Sequence, residues 1–261
     1  MIPDFRGAFY DMSDYQFQKD LKKLGHGSFG SVYAIKNITD NKTYAIKILG
    51  QEDEFDIQKQ MSLLRESILL YSLHHPAIVQ FKGINLESYK EKGKLEPSII
   101  TEYLPNGSVK DLLSKQKHGT QDSNWTTTKK YIFLLGVAHA MKYLNENQII
   151  HRDLKPENVL IDSNYYPRVC DFGLSRCLPD SINKSQSITM TAAVGTLPYM
   201  APEIFFSGYY DESIDVYSYA MLAYAVITGK EPYSDIHFKS CYELTEKVSH
   251  GLRPNLFQKS I

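Results

Sequence analysis

Two acidic residues eighteen positions apart constrain this chain more than any other feature: Asp153, in HRDLKPEN at 151–158, and Asp171, in CDFG at 170–173. At that separation the chain can leave a loop, turn through a short hairpin and return the second carboxylate to the same cleft. Asn158, inside the first string, adds an amide. Two carboxylates and an amide on one cleft suit phosphoryl transfer, because that chemistry rests on positioning and charge neutralisation. One acid orients the attacking hydroxyl, while the other acid and the amide hold Mg²⁺ on the phosphates.

The first third of the chain carries a companion set. GHGSFGSV at 25–32 supplies Gly25, Gly27 and Gly30, and YAIK at 44–47 places Lys47 seventeen residues after the last of them. A G-x-G-x-x-G string also opens Rossmann domains, where it leads into a helix. Here Ser31 to Ile35 alternates and is rich in β-branched and aromatic residues, so it reads as the second arm of a hairpin. These strings, in this order, resemble the eukaryotic protein kinases from about Tyr15 to Pro254. The resemblance implies a bilobal α+β fold after an N-terminal tail (1–14): an N-lobe (15–103) with a five-stranded antiparallel sheet and one helix, and a mainly helical C-lobe (104–261).

Composition agrees. A chain of 261 residues with 43% hydrophobic residues, 23% charged and a net charge of −1 can bury a sizeable core in one or two lobes, and nothing in it points to nucleic acid. The longest apolar runs, Tyr131 to Met141 and Tyr217 to Ile227, are about half of the ~20 residues that span a bilayer. They read as core helices, so no membrane insertion is expected. No basic-then-apolar leader opens the chain, and Ile2 follows Met1, so neither a secretory signal nor myristoylation is indicated. The three cysteines, Cys170, Cys177 and Cys241, show no paired or metal-ligand spacing, which favours a reducing, cytoplasmic setting.

The pattern predicts strands over Leu21 to Leu24, Ser31 to Lys36, Thr43 to Ile48, Ile78 to Gly83 and Ser98 to Tyr103, with a turn at Asp40-Asn41-Lys42. The polar run 85–94 reads as a solvated hairpin extension. Helices are expected over about Glu54 to Leu73 and over Trp125 to Asn145. In the first helix, Glu66 shares a stripe with Leu63, Leu70 and Leu73, which would aim it into apolar surroundings and require a cation. A second stripe, Met61, Leu64, Ile68 and Tyr71, leaves the buried face undecided by periodicity alone.

The kinase resemblance implies roles residue by residue. Lys47 would contact the α- and β-phosphates of ATP and be positioned by Glu66. Asp153 would be the catalytic base, and Lys155 would meet the γ-phosphate as charge leaves it. Asn158 and Asp171 would ligate Mg²⁺ through hard oxygen donors. Adenine would lie between Val32 and Ala45 above and Leu160 below, with backbone hydrogen bonds from the hinge at Glu102, Tyr103 and Leu104. Thr101, just before the hinge, is small and implies an open pocket behind the base. Ser108 matches a position that often faces the ribose; it reads equally as a turn residue of Pro105-Asn106-Gly107-Ser108. Cys170 would border the pocket.

Lys155 and Thr196, the latter in GTLPYMAPE at 195–203, resemble serine/threonine kinases, whereas RESILLYSLHHPAIVQFKG, ITEYLPNGSVKDLL and DVYSYAM resemble the tyrosine-kinase-like group. The expected substrate is therefore a protein serine or threonine. Arg152, with Arg176 as a second cation, would receive a phosphate placed by an upstream kinase on Ser181, Ser185, Ser187, Thr189 or Thr191. The family pattern continues beyond Pro254 with two helices carrying an arginine partner for Glu203, whereas this sequence ends at Ile261. The expectation is a C-lobe lacking its last helices and a buried Glu203 without its cation, at a cost of about 3–5 kcal/mol. The alternative function that follows is a nucleotide-binding but inactive interaction module.

Overall fold

The structure, a computed structural model, describes residues 8–17, 23–27, 30–49, 57–87, 95–120, 122–177, 197–206 and 210–256. Among the described residues six strands build the N-lobe sheet: β1 (Tyr15–Phe17), β2 (Lys23–Gly27), β3 (Gly30–Asn37), β4 (Thr43–Leu49), β5 (Phe81–Glu87) and β6 (Leu95–Glu102). The order is β1-β3-β4-β6-β5, antiparallel throughout, and β2 also pairs with β3. β2 lies along the first half of β3 and β1 along its end, so the two share one tier and the sheet keeps the five tiers expected. Gly27 pairs directly with Gly30, so the glycine-rich string is a tight β2–β3 hairpin and not a strand-to-helix turn.

Strand alternation gives the sheet two faces. Val32 pairs with Lys47, Lys47 with Ile99, and Ala45 with both Ala34 and Thr101, which places this set on the inner face. Ile35, Ile46, Ile48 and Ile100 point the other way and form a separate buried cluster. Helix α1 (Ile57–Ser72) covers the inner face through Leu63, which packs on Ile99 and Phe81. The stripe left open by the sequence is thereby decided: Leu63, Glu66, Leu70 and Leu73 are buried, while Met61 and Ile68 are exposed.

Several boundaries differ from expectation: β2 runs on to Gly27 instead of ending at Leu24, and β6 begins at Leu95, ahead of Ser98. β5 begins at Phe81 and runs on to Glu87, so Asn85 belongs to the strand, is buried and pairs in register with Ser98. The apolar Ala77-Ile78-Val79 that suggested an earlier strand is used between the lobes. Val79 N–H donates to the Val169 carbonyl (2.9 Å), and Val169 N–H donates to that of Ala77 (2.8 Å). Residues 8–14, read as part of a tail, lie against the sheet, with Ala8 buried.

The C-lobe holds α2 (Val109–Lys117), α3 (Thr127–Glu146), α4 (Glu203–Phe206), α5 (Ser213–Thr228) and α6 (Cys241–Ser249). Short pairs β7 (Ile149–Ile150) with β10 (Arg176–Cys177), and β8 (Val159–Ile161) with β9 (Pro167–Val169), complete it. The β8–β9 hairpin is the excursion that the Asp153–Asp171 spacing demanded. The core joins Phe133, Leu134, Val137, Ala140 and Leu144 of α3 to Leu222, Ala225 and Val226 of α5. Trp125, stacked on Tyr165 and edge-on to Phe133, closes one end. Among the described residues no helix is long and apolar enough to cross a membrane.

Glu203 opens α4 at a half-buried position, so the penalty of a buried stranded charge does not apply to it. Arg253 lies with its guanidinium carbon 5.3 Å from the Tyr217 ring centroid and donates to the Val248 carbonyl.

α3 meets β9 at Gly136, where a Cβ would come within 2.7 Å of Pro167 Cγ and 3.0 Å of its Cδ. The proline ring cannot swing aside, so overpacking outweighs the helix propensity gained. Gly136→Ala should lower unfolding stability by about 1–3 kcal/mol, measured by urea titration, and Gly136→Val by more.

Candidate active site

β4 projects Lys47 from the inner face onto α1 and the C-lobe. Its Nζ lies 3.0 and 2.8 Å from the two carboxylate oxygens of Glu66 and 2.9 Å from Asp171 Oδ1. Burial disfavours the ammonium charge, but Glu66 and Asp171 outweigh it and hold the lysine pKa above its usual range. Asp171 is likewise buried, yet Lys47 keeps its carboxyl below the ordinary aspartate range. Burial pushes Glu66 up, against the pull of Lys47. One cation thus serves two acids from different lobes. Asp171 sits at φ 63°, left-handed backbone that an L-residue adopts at a cost of about 1–3 kcal/mol.

On the C-lobe side, Asp153 Oδ2 accepts from Lys155 Nζ (2.7 Å) and from Asn158 Nδ2 (2.9 Å). Burial pushes the Asp153 carboxyl up, partly offset by Lys155. Asn158 Nδ2 also donates to the Asp153 carbonyl at 2.7 Å, so both amide hydrogens are used and the amide oxygen is the atom left for a cation. Asp171 and Asn158 are tied together, since Cys170 N–H donates to the Asn158 carbonyl at 2.9 Å.

These donors fit Mg²⁺ on a nucleotide. A carboxylate and an amide oxygen are hard ligands, and among the described residues no cluster of three or more His, Cys, Asp or Glu side chains forms a self-sufficient metal site. With only these two protein donors proposed, phosphate and water would supply the rest of the shell, as Mg²⁺ prefers. Val32, Ala45 and Leu160 are apolar and only partly covered, which suits a stacked base. At the hinge, Glu102 N–H donates to the Gln80 carbonyl, while its carboxylate accepts from Gln80 N–H and pairs with Arg168 (3.3 Å). The side chain therefore turns away; the Glu102 carbonyl accepts from the Thr101 hydroxyl at 3.4 Å and keeps a second lone pair for a base edge. Thr101 is half-buried beside the hinge. Ser108 is the N-cap of α2 in a reciprocal capping box with Asp111, so its hydroxyl is committed to the helix. Cys170 is half-buried, and burial pushes its thiol pKa up, which disfavours the nucleophilic thiolate. The hairpin tip at 28–29, the segment 178–196 with Ser181, Ser185, Ser187, Thr189, Thr191 and Thr196, and the polar run 88–94 lie outside the described residues.

Sequence reasoning missed the support beneath Asp153. Asp215, in the first turn of α5, accepts from His151 N–H (2.7 Å) and Arg152 N–H (2.9 Å) and fixes the loop, with Arg152 at φ 71°. The His151 ring bridges both motifs: Nδ1 accepts from Asp153 N–H (3.3 Å), and Nε2 faces the Cys170 carbonyl (3.1 Å), which makes Nε2 the protonated nitrogen. The signal available was a lone acid at the head of an otherwise apolar helix, in DVYSYAM.

Comparison with known proteins accords with this geometry. The chain matches the protein kinase domain over residues 18–254. It is 33% identical to the serine/threonine-protein kinase STY46 of Arabidopsis thaliana, over 90% of this chain and 37% of that protein. It is 36% identical to the RasGEF domain-containing serine/threonine-protein kinase X of Dictyostelium discoideum, over 92% and 22% respectively. It is 35% identical to the dual specificity protein kinase shkB of the same organism, over 91% and 34%. The chain thus spans little more than a third of these relatives at most. With the cleft, the motif order and the matched span in agreement, the chain belongs to the protein kinase domain family.

Proposed function

We propose that this domain is an ATP- and Mg²⁺-dependent protein kinase that transfers the γ-phosphoryl group to serine and threonine hydroxyls. The observation that supports this most is the meeting of the Lys47–Glu66 pair from the N-lobe with Asp171 beside Asp153, Lys155 and Asn158. Lys47 would hold the α- and β-phosphates under the Gly25, Gly27 and Gly30 hairpin. Asp171 and Asn158 would hold Mg²⁺, which supplies charge neutralisation on the phosphates when bound. Asp153 would orient the attacking hydroxyl and take its proton, and Lys155 would neutralise charge on the transferred group. The base would stack between Val32, Ala45 and Leu160, with Thr101 behind it and the Glu102 and Leu104 backbone at its edge. Ser108 enters only by capping the helix beside the cleft.

Lys155, Thr196 and the names of two relatives support serine/threonine choice, and the strings around α1, the hinge and α5 support membership of the tyrosine-kinase-like group. The name of the third relative keeps tyrosine as a minor acceptor. We place the domain in a reducing, cytoplasmic setting on its cysteine usage. We also retain control by an upstream kinase. Arg152 donates to the Leu174 carbonyl (3.2 Å) and lies over the Tyr210 ring, and both its burial and Arg176 press against its positive charge. A phosphate near these two cations would relieve that repulsion.

The direct test is ATP phosphotransfer by this chain beside its Asp153→Asn variant, which should be inactive. Lys47→Met and Asp171→Asn should each abolish phosphotransfer, while only Asp171→Asn strongly weakens Mg²⁺-dependent nucleotide binding by calorimetry. Turnover near wild type in either variant would refute these roles. Phosphoamino-acid analysis of the labelled product should show phosphoserine and phosphothreonine in excess of phosphotyrosine.

Asp215→Asn replaces one of two carboxylate acceptors with a donor that faces an N–H. Each lost bond to a charged acceptor is worth about 1.5–3 kcal/mol. The variant should lose about 10²-fold in kcat while keeping nucleotide affinity, measured by steady-state kinetics and calorimetry.

A further inference from the structure

Residues 8–17 precede the span matched by the family, 18–254, yet they are built into the N-lobe sheet. Phe9 forms a parallel bridge with Ile84, and Tyr10 N–H donates to the Ile84 carbonyl (3.2 Å) at the β5 edge. A few residues later β1 pairs with the far end of β3, Tyr15 opposite Asn37 and Phe17 opposite Ile35. Since β6 and β4 lie between those two edges, the segment crosses the outer face of the sheet as a strap.

The crossing is fastened along its length. Asp11 Oδ1 accepts from Ser13 N–H (2.8 Å) and caps the turn Met12–Asp14, and the Asp14 carbonyl accepts from Ile38 N–H (2.8 Å). Tyr10, Met12, Tyr15 and Phe17 cover Ile35, Ile46, Ile48 and Ile100. Tyr10 is the anchor. Its hydroxyl lies 2.7 Å from Ser98 Oγ, and its ring meets Tyr15 edge-on at 5.3 Å. The ring also sits so close to Gly83 that a Cβ there would be 2.7 Å from Tyr10 Cδ1 and 3.1 Å from the Ala8 carbonyl.

Ile46 and Ile48 flank Lys47 in β4 and are 0% and 5% exposed. Their side chains are gripped by the strap on one face, while Lys47 reaches Glu66 and Asp171 on the other. The lysine Cα cannot move without moving both isoleucines. Building on the phosphotransfer reading above, we propose that the strap 8–17 is a positioning element for the reaction. In it, Tyr10 acts through β4 to hold Lys47 at the phosphates.

The test uses three variants of the full chain: Tyr10→Ala, which removes the anchor; Gly83→Val, which blocks its seat from the sheet side; and Tyr10→Phe, which keeps the ring. Hydrogen exchange at the amides of 46–48 should accelerate by about tenfold or more in the first two variants while α3 exchange is unchanged. Their kcat should fall by about tenfold or more, with KM for ATP moving less than about threefold, as for a misplaced group that is still present. Tyr10→Phe should stay within about threefold of wild type in both measurements, because ring packing carries most of the anchor.

Unchanged β4 exchange or unchanged kcat in Tyr10→Ala and Gly83→Val overturns the proposal. Acceleration that includes α3 would also overturn it, since it would make the strap a general stabiliser. If the wild-type chain transfers no phosphate, the functional reading falls on its own. The exchange measurement then decides the strap, with β4 protection indifferent to Tyr10→Ala counting against it.

Discussion

One ammonium group shared between two acids holds the functional geometry of this domain together. Lys47 is nearly buried, and its charge is tolerable only because Glu66 and Asp171 approach it from different elements. Removing one partner of such a buried set costs about 3–5 kcal/mol, a large fraction of a domain's total stability. The trio therefore selects among lobe arrangements as well as stabilising one. α1 must be docked for Glu66 to arrive, and the loop at 171–173 must be turned inward for Asp171 to do so.

A second acid serves the other half of the site in the same way. Asp215 satisfies two backbone N–H groups of the loop that carries Asp153, at a place where Arg152 adopts left-handed backbone. Strain stored in a loop persists only where its surroundings over-determine it. Here a mostly apolar helix supplies the restraint, so the loop that carries Asp153 inherits its precision from α5 and not from its own sequence. The His151 ring extends that precision to the Asp171 loop by bonding to both strands of the motif pair.

Much of this was legible from residues alone. The spacing of Asp153 and Asp171 called for a hairpin between them, and β8–β9 is that hairpin. The alternation after Gly30 called for a strand, and β3 is that strand. Glu66 was undecided between two helix stripes, since both are apolar and only the sheet beneath α1 distinguishes them. Ile78 and Val79 looked like strand residues because β-branched runs are read as strands, whereas their partner is β9, distant in sequence. Asp215 was invisible as a support because its acceptors are used by backbone groups of another segment, which no local pattern announces. Tyr10 was hidden likewise: an aromatic near a terminus carries no periodicity, and its seat is the missing side chain of Gly83.

The hydrogen bonds between Ala77, Val79 and Val169 have a mechanical consequence. The two lobes are joined covalently at the hinge after Glu102 and again by this backbone pairing directly beside it, since Glu102 bonds to Gln80 and to Arg168, the neighbours of Val79 and Val169. A body attached to another at two points retains chiefly rotation about the line through them. The Lys47–Asp171 bridge crosses the cleft as well, so rotation about that line must stretch or break it, as a door on its pins is held by a latch. Val169 lies two residues before Asp171, so one pin stands beside the acid proposed to hold the metal. Motion about that axis displaces the glycine hairpin far more than it displaces Asp171.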